Sequence, residues 1–262
     1  MITLNFKDKT AIVTGAGSGF GRATARLLAQ SQARIVAVDR NAEHLAETMS
    51  ALADTGTGHV SMVKDLRPPR AAQEVISEAM KHLSHLDILV NSAGVCHFTP
   101  ANKITPEQWD EVLEIDLKAL YFLAVAAAEA MEPQRGGRII NLGSNAGRKG
   151  RAFSAHYAAA KAGVANVTES LALAYGKKGI TVNTVCPAVV LTDMWERNFE
   201  ELGKITGKSS EELVRNWTAA TPLQRLGTAE DVANLIVFLA SDRGGFITAQ
   251  EINVCGGFML TC

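Results

Sequence analysis

The sequence predicts an α/β chain: a doubly wound, parallel, seven-stranded sheet with helices on both faces, folded as one domain over residues 1–262. Three observations carry that expectation. Short β-branched runs alternate with longer stretches of helical apolar spacing almost to the end of the chain. Most of those runs are apolar on both sides, as strands covered by helices on both faces are. The 262 residues are 47% apolar and 20% charged, which supplies one large core and excludes disorder as the main state.

The strands are read, in order, at Thr10 to Thr14, Arg34 to Asp39, His59 to Asp65, Asp87 to Asn91, Arg138 to Leu142, Thr181 to Val185 and Glu251 to Val254. Ala11-Ile12-Val13 and Ile88-Leu89-Val90 show no alternation, so neither side of these strands faces water. Between the strands, apolar residues recur at helical spacing near Arg22 to Gln30, Ala42 to Ala53, Ala71 to His82, Glu107 to Glu132, Ala155 to Lys177 and Glu230 to Leu239. Pro106 precedes one of these helices and Gly179 follows another, the usual order of proline first and glycine last. One interval breaks the rhythm. From Thr192 to Thr221 the chain is polar and irregular and carries Trp195 and Trp217, and an insertion of that length reads as a substrate lid.

Charge and composition narrow the partners. Lys plus Arg number 26 against 27 for Asp plus Glu, so the net charge is -1 and no basic excess exists to bind nucleic acid. The opening residues lack the apolar stretch of a signal peptide, and the longest apolar run, Ala119 to Ala128, is about half of what a bilayer demands. A cytoplasmic protein without a membrane partner is expected. Cys96, Cys186, Cys255 and Cys262 are far apart and show no metal-ligand spacing, so they read as reduced, small apolar residues and no metal is expected.

The first strand runs directly into Thr14-Gly15-Ala16-Gly17-Ser18-Gly19-Phe20-Gly21 and then a helix. Glycines at that point allow positive φ and close approach of a pyrophosphate, whose charge is met by the N–H groups opening the helix. The spacing differs from the GxGxxG fingerprint, and a plain tight turn is the alternative. Asp39 ends the second strand, eighteen positions after Gly21. A carboxylate there accepts both hydroxyls of an adenosine ribose and repels an added phosphate, so NAD is preferred; the alternative is a helix N-cap. Ser18 agrees, since no cation stands in the turn, while Arg40 beside Asp39 keeps NADP open.

Ser144 follows the fifth strand, and after twelve intervening residues Tyr157 and Lys161 open a long helix, four apart and therefore on one face. An ammonium beside a phenol favours the phenolate. Bringing a tyrosine from about 10 towards neutrality takes about 3 units, about 4 kcal/mol, which two nearby cations in a partly desolvated site supply. Tyr157 then serves as a general acid or base. A solvated helix face is the alternative for such a pair.

With these motifs in order, the chain resembles the short-chain dehydrogenase/reductase family from end to end. Residues 14–21 look like that family's TGxxxGxG turn, Asp65-Leu66 like its adenine-contacting pair, and Asn91-Ser92-Ala93-Gly94 like its NNAG segment. Ser144, Tyr157 and Lys161 match its catalytic spacing, and Asn183 to Thr192, with Pro187 and Val190, resembles the segment that fixes the nicotinamide. The resemblance implies a Rossmann fold, a homotetramer or homodimer, and these roles: Ser144 bonds the substrate oxygen, Tyr157 passes its proton, and Lys161 lowers the tyrosine pKa and holds the nicotinamide ribose. It also marks a departure. Where the family has an asparagine seven positions after Trp109, this chain has Asp116, which accepts hydrogen bonds but cannot donate them when ionised and pulls on Lys161. Ala188, Ala249 and Cys255 replace a glycine, a glycine and an aspartate usual in the family.

Substrate choice is assigned to Val95 to Phe98, to Asn145 to Phe153 and to the lid with Trp195. Arg148, Lys149 and Arg151 form either an anion site or a solvated basic loop. Polar Asn145, His97 and His156 suit a hydroxylated substrate, and the lid and the ending Ile252-Asn253-Val254-Cys255-Gly256-Gly257 look somewhat similar to those of sugar-alcohol and sugar-alcohol-phosphate dehydrogenases in this family. The expectation is reversible, NAD-dependent oxidation of a secondary alcohol on a polyol-like or small hydroxylated compound. The alternatives are a 3-oxoacyl thioester (acyl carrier protein) reductase and, in another class, a non-catalytic NAD-binding sensor.

Overall fold

The computed structural model describes residues 4–56, 58–131 and 136–259, which leaves Cys262 and the expected helix end at Glu132 outside the described residues. Strand β1 (Thr10–Thr14) leads through α1 (Gly19–Gln30), β2 (Arg34–Asp39), α2 (Ala42–Leu52), β3 (Val60–Val63) and α3 (Ala71–His82) to β4 (Ile88–Asn91). The chain continues through α4 (Pro106–Leu113), a π-helical turn (Glu114–Ala119), α5 (Leu120–Met131), β5 (Gly137–Leu142), α6 (Ala155–Tyr175) and β6 (Ile180–Pro187). It ends with α7 (Asp193–Thr206), α8 (Ser210–Ala220), α9 (Ala229–Ala240) and β7 (Glu251–Val254). The strands form one parallel sheet in the order β3-β2-β1-β4-β5-β6-β7.

Side-chain alternation and burial together explain why the strands carry no period-two signal. Ile12, Val36, Leu89, Ile139 and Val182 point into a core shared with α3, α5 and α6. Their neighbours Ala11, Val13, Ile35, Val90 and Ile140 point into a second core shared with α1, α2 and α9. In β1, β2, β4, β5 and β6 alternation therefore moves a residue from one core to the other, whereas the edge strand β3 turns Ser61 and Val63 to water. Each fully buried Ile or Leu in these layers stabilises the fold by about 1.5–3 kcal/mol relative to leaving it exposed. Helix ends follow the local chemistry: Thr105 and Gln108 form a reciprocal capping box ahead of α4 with Pro106 in its first turn, and Gly179 takes φ 76° beyond α6.

The interval expected to be irregular is helical, which corrects the sequence reading. α7 and α8 enclose a third, smaller core of Phe199, Leu202 and Leu213 with Val189 and Leu226, against which Phe98, Phe153, Trp195 and Trp217 pack. Trp195 and Trp217 meet nearly edge to face at 5.4 Å, a favoured aromatic arrangement. The strand order reverses between β1 and β4, so the loops beyond their carboxyl ends diverge and leave a crevice, and α7 and α8 cover one end of it. Among the described residues no helix is long and apolar enough to cross a membrane.

Candidate active site

The crevice is a cavity of about 850 Å³. Thr14 ties its two sides together, its Oγ1 accepting the N–H groups of Ser92 and Ala93 at 3.2 Å each. Gly15 has φ +64°, and a Cβ there would stand 2.8 Å from the Ala93 backbone, so this turn admits no other residue. Gly21 is equally constrained: a Cβ would fall 2.1 Å from the Gly15 carbonyl oxygen. Ser18 caps α1 in extended conformation without a side-chain bond, and the first turn of α1 holds no acidic residue. Uncapped N–H groups at a helix start that lines a cavity fit the pyrophosphate of a dinucleotide.

Of the residues assigned to cofactor binding from sequence, Gly15, Ser18, Gly19, Phe20, Asp39, Arg40, Asp65 and Leu66 line one end of the cavity. Ala93, Gly94, Tyr157, Pro187 and Thr192 line it further along. Asp39 does not cap α2, a task that falls to Asn41; its carboxylate instead accepts the N–H of Gly17 at 2.8 Å and of Asn41 at 2.9 Å. Asp65 is bound by Arg67, whose guanidinium holds its carboxyl below the usual range.

Five of the assigned residues are absent from the wall. Gly17 and Gly21 shape the turn from behind, and Lys161 lies beneath Tyr157. Asn91 is buried one layer down, its Nδ2 donating to Asn141 at 2.9 Å and to the Leu120 carbonyl at 3.3 Å. Val190 is buried and bridges to Gly227.

Ser144, Asn145, Arg151, Tyr157 and Trp195 share the opposite end of the cavity with Phe98, Phe153, Met194, Leu202 and Trp217. His97 and His156 do not reach the wall, contrary to the expectation that they would meet substrate. His97 Nε2 lies 3.2 Å from Glu111, and His156 is fully buried with both ring nitrogens unpartnered, burial holding its pKa down. The basic loop divides: Arg148 is neutralised by Glu251 at 3.0 Å, while Arg151 faces the cavity. Phe98, Asn198 and Trp217 lie on the wall within the segments assigned to substrate choice, but what sequence reading missed is that Asn198 and Trp217 stand on helices. Their signal was the helical spacing of Trp195, Phe199 and Leu202 inside the supposed loop.

Lys161 Nζ donates to the Leu142 carbonyl at 2.8 Å, lies 2.9 Å from Asp116 Oδ1 and stands 5.6 Å from the centre of the Tyr157 ring. The π-helical turn between α4 and α5 brings Asp116 inward to full burial, and its Oδ2 accepts the Val95 N–H at 2.9 Å. Burial pushes the Asp116 carboxyl up, and Lys161 and the Val95 N–H pull against it. Tyr157 is corrected in direction. Burial of its hydroxyl pushes it well above the ordinary tyrosine value, Cys96 and Asp116 add to the rise, and the Ser144 hydroxyl bonded to it opposes. The cation expected to lower it is already paired with a carboxylate. Burial also pushes the neighbouring Cys96 thiol up to about 12, which leaves it inert at neutral pH.

A nucleotide-sized cavity at the switch point of a parallel sheet, with a phenol and a hydroxyl at its far end, is the arrangement of a dinucleotide-dependent oxidoreductase. Comparison with known proteins agrees. The family model described as Enoyl-(Acyl carrier protein) reductase matches residues 15–259. The 3-oxoacyl-(acyl-carrier-protein) reductase FabG of Escherichia coli is 34% identical over 98% of this chain and 100% of its own. Among solved structures, an NAD+-bound xylitol dehydrogenase superposes with a TM-score of 0.92 at 28% identity, over 96% of this chain and 99% of that one. Levodione reductase superposes with a TM-score of 0.91 at 28% identity, over 97% and 98%. The chain belongs to the short-chain dehydrogenase/reductase family, and it is an NAD(P)-dependent enzyme of the alcohol dehydrogenase and carbonyl reductase type.

Proposed function

We propose that this enzyme prefers NAD and interconverts a secondary alcohol and a ketone on a compound with an apolar, flat remainder. The observation that carries the reading is that Ser144 and Tyr157 close one end of the cavity whose other end is the glycine turn and Asp39. When bound, the dinucleotide accepts a hydride from the carbinol carbon or returns one to the carbonyl carbon.

The chain's own residues supply position and a proton. The N–H groups opening α1 hold the pyrophosphate, with Gly17 and Gly21 fixing the turn behind them. Asp39, already anchored by two backbone N–H groups, accepts the ribose hydroxyls; Asp65 and Leu66 flank the adenine. Ala93, Gly94, Pro187 and Thr192 form the wall for the nicotinamide end, braced by Asn91 and Val190. Ser144 donates to the substrate oxygen, and Tyr157 gives that oxygen its proton as hydride reaches the carbon. A phenol pushed up by burial is protonated at neutral pH, which suits ketone reduction; alcohol oxidation needs the phenolate and improves as pH rises. Lys161 orients beneath the phenol, and Asp116 holds Lys161.

The polyol expected from sequence rested on Asn145, His97 and His156, of which Asn145 alone lines the cavity, and on the likeness to sugar-alcohol dehydrogenases, which the xylitol dehydrogenase neighbour supports. The wall of Phe98, Phe153, Trp195 and Trp217 favours an apolar substrate instead. The same wall supports a second reading, reduction of a 3-oxoacyl thioester, in keeping with the named activity of the Escherichia coli relative. Exposed Phe122 on α5 and Leu173 on α6, the latter 82% exposed, support assembly of copies through these helices.

The test follows nicotinamide absorbance with aryl ketones, 3-oxoacyl thioesters and polyols, using NADH and NADPH. Tyr157→Phe is expected to lose at least about 100-fold in turnover while still binding NADH. Turnover that survives this change refutes the assignment, and tight NADH binding with no turnover of any compound establishes the sensor.

A further inference from the structure

Arg151 is a partly buried guanidinium on the wall of a reaction cavity, and among the described residues no carboxylate lies within ion-pair distance of it. Among the described residues its only hydrogen bonds are long ones, at 3.3 Å and 3.4 Å, to the side-chain and backbone oxygens of Asn145. Arg148, three positions earlier in the same loop, is instead matched by Glu251. Burying an unmatched charge is costly, so the fold either neutralises such a group or keeps it for a partner that arrives.

The rest of the wall is consistent with an arriving anion. The carboxylates lining the cavity are Asp39 and Asp65, both at the adenosine end. The opposite end carries Arg151 and, at its edge, Arg197. Glu201 on α7 is outside the wall and is occupied by the Phe98 N–H at 2.9 Å. Arg151 is close enough to Tyr157 for their charges to interact, while burial works against the guanidinium charge. A guanidinium on the wall with no carboxylate of the described chain to match it calls for oxygen atoms on the ligand.

We infer that Arg151, steadied by Asn145, receives a carboxylate of the substrate beside the Ser144–Tyr157 pair. This rests on the oxidoreductase reading above and narrows its substrate to an oxo acid, or the matching hydroxy acid, whose apolar remainder lies against Phe98, Phe153 and Trp195. A carboxylate suits the site better than a phosphate group, because one planar guanidinium satisfies a carboxylate through two parallel bonds whereas a dianion asks for more positive charge.

The experiment compares phenylglyoxylate and benzoylpropionate with their methyl esters, in the wild type and in Arg151→Gln and Arg151→Lys. In the wild type the acid of one pair is reduced with kcat/KM about 30-fold or more above its ester, the worth of a charge-assisted pair. Arg151→Gln brings that ratio close to one, and Arg151→Lys restores part of it. A wild-type ratio near one for both pairs, or a ratio unmoved by Arg151→Gln, overturns the inference. Competition by inorganic phosphate at concentrations where the acids have no effect overturns the choice of carboxylate. Should no ketone turn over, the oxidoreductase reading fails separately, and quenching of Trp195 and Trp217 fluorescence by acid against ester still decides whether Arg151 binds the carboxylate.

Discussion

Replacing Asp116 with Asn tests the internal electrostatics most directly. The change keeps the shape of the side chain and an oxygen for the Val95 N–H, but removes the charge 2.9 Å from Lys161 Nζ. At an effective dielectric of about 20, a unit charge 5.6 Å from the Tyr157 ring is worth about 3 kcal/mol, or about two pKa units. Asp116 works against that charge in the wild type, so freeing the cation lowers the tyrosine. Alcohol oxidation requires the phenolate and rises with pH through the tyrosine pKa. Its kcat/KM profile therefore moves to lower pH, with the full worth of the Lys161 charge as the ceiling, and oxidation near pH 8 rises, by up to about 100-fold. Ketone reduction requires the phenol, so its alkaline decline begins correspondingly earlier. The variant loses stability by about 3 kcal/mol or less, since Lys161 still has the Leu142 carbonyl. Both pH profiles unmoved, in a variant shown to be folded by circular dichroism and thermal melting, would refute the claim that Asp116 holds the charge of Lys161 away from Tyr157.

Three further outcomes follow from the same coordinates. Gly94→Ala places a Cβ 2.7 Å from Asp116 Oδ1 and must push that carboxylate off Lys161, so its oxidation profile moves in the same direction as that of Asp116→Asn; a profile identical to wild type contradicts this. Asp39→Asn removes the negative charge at the ribose end while leaving an acceptor for Gly17, and is expected to narrow the NADH-over-NADPH ratio of kcat/KM about ten-fold or more; an unchanged ratio argues that Asp39 does not choose the cofactor. Asp231 is held well below the usual carboxylate range by Arg225 and the Thr228 cap of α9. Its stabilisation is therefore complete above the ordinary value of about 3.9 and is lost as pH falls towards the depressed one. Asp231→Asn should melt earlier than wild type at pH 7, by a difference of about 1 kcal/mol for this half-exposed pair, and the difference should shrink as pH falls below the ordinary carboxylate value.

Why some of this was legible in the sequence and some was not comes down to the range of the forces involved. Strands such as Ile88–Asn91 announce themselves because burial on both faces leaves Ile88, Leu89 and Val90 in an unbroken apolar run. The glycine turn is legible for a similar reason: at Gly15 and Gly21 the backbone comes so close to Ala93 and to itself that sequence freedom disappears. α7 and α8 carry their own local signals too, Trp195, Phe199 and Leu202 at helical spacing, Gly207 at φ 72°, and Ser209 accepting the Glu212 N–H. Their dense charge hid these signals, because the apolar stripe faces a small core of their own instead of the sheet. Ionisation is different in kind. The Tyr157–Lys161 spacing correctly joins two side chains on one helix, but the phenol answers to Asp116 and Cys96, which arrive from the π-helical turn and from the loop after β4. The environment of the phenol is thus set by three distant segments that meet at the cavity wall, so a four-residue motif fixes which groups meet while burial and the residues from the other two segments raise the phenol.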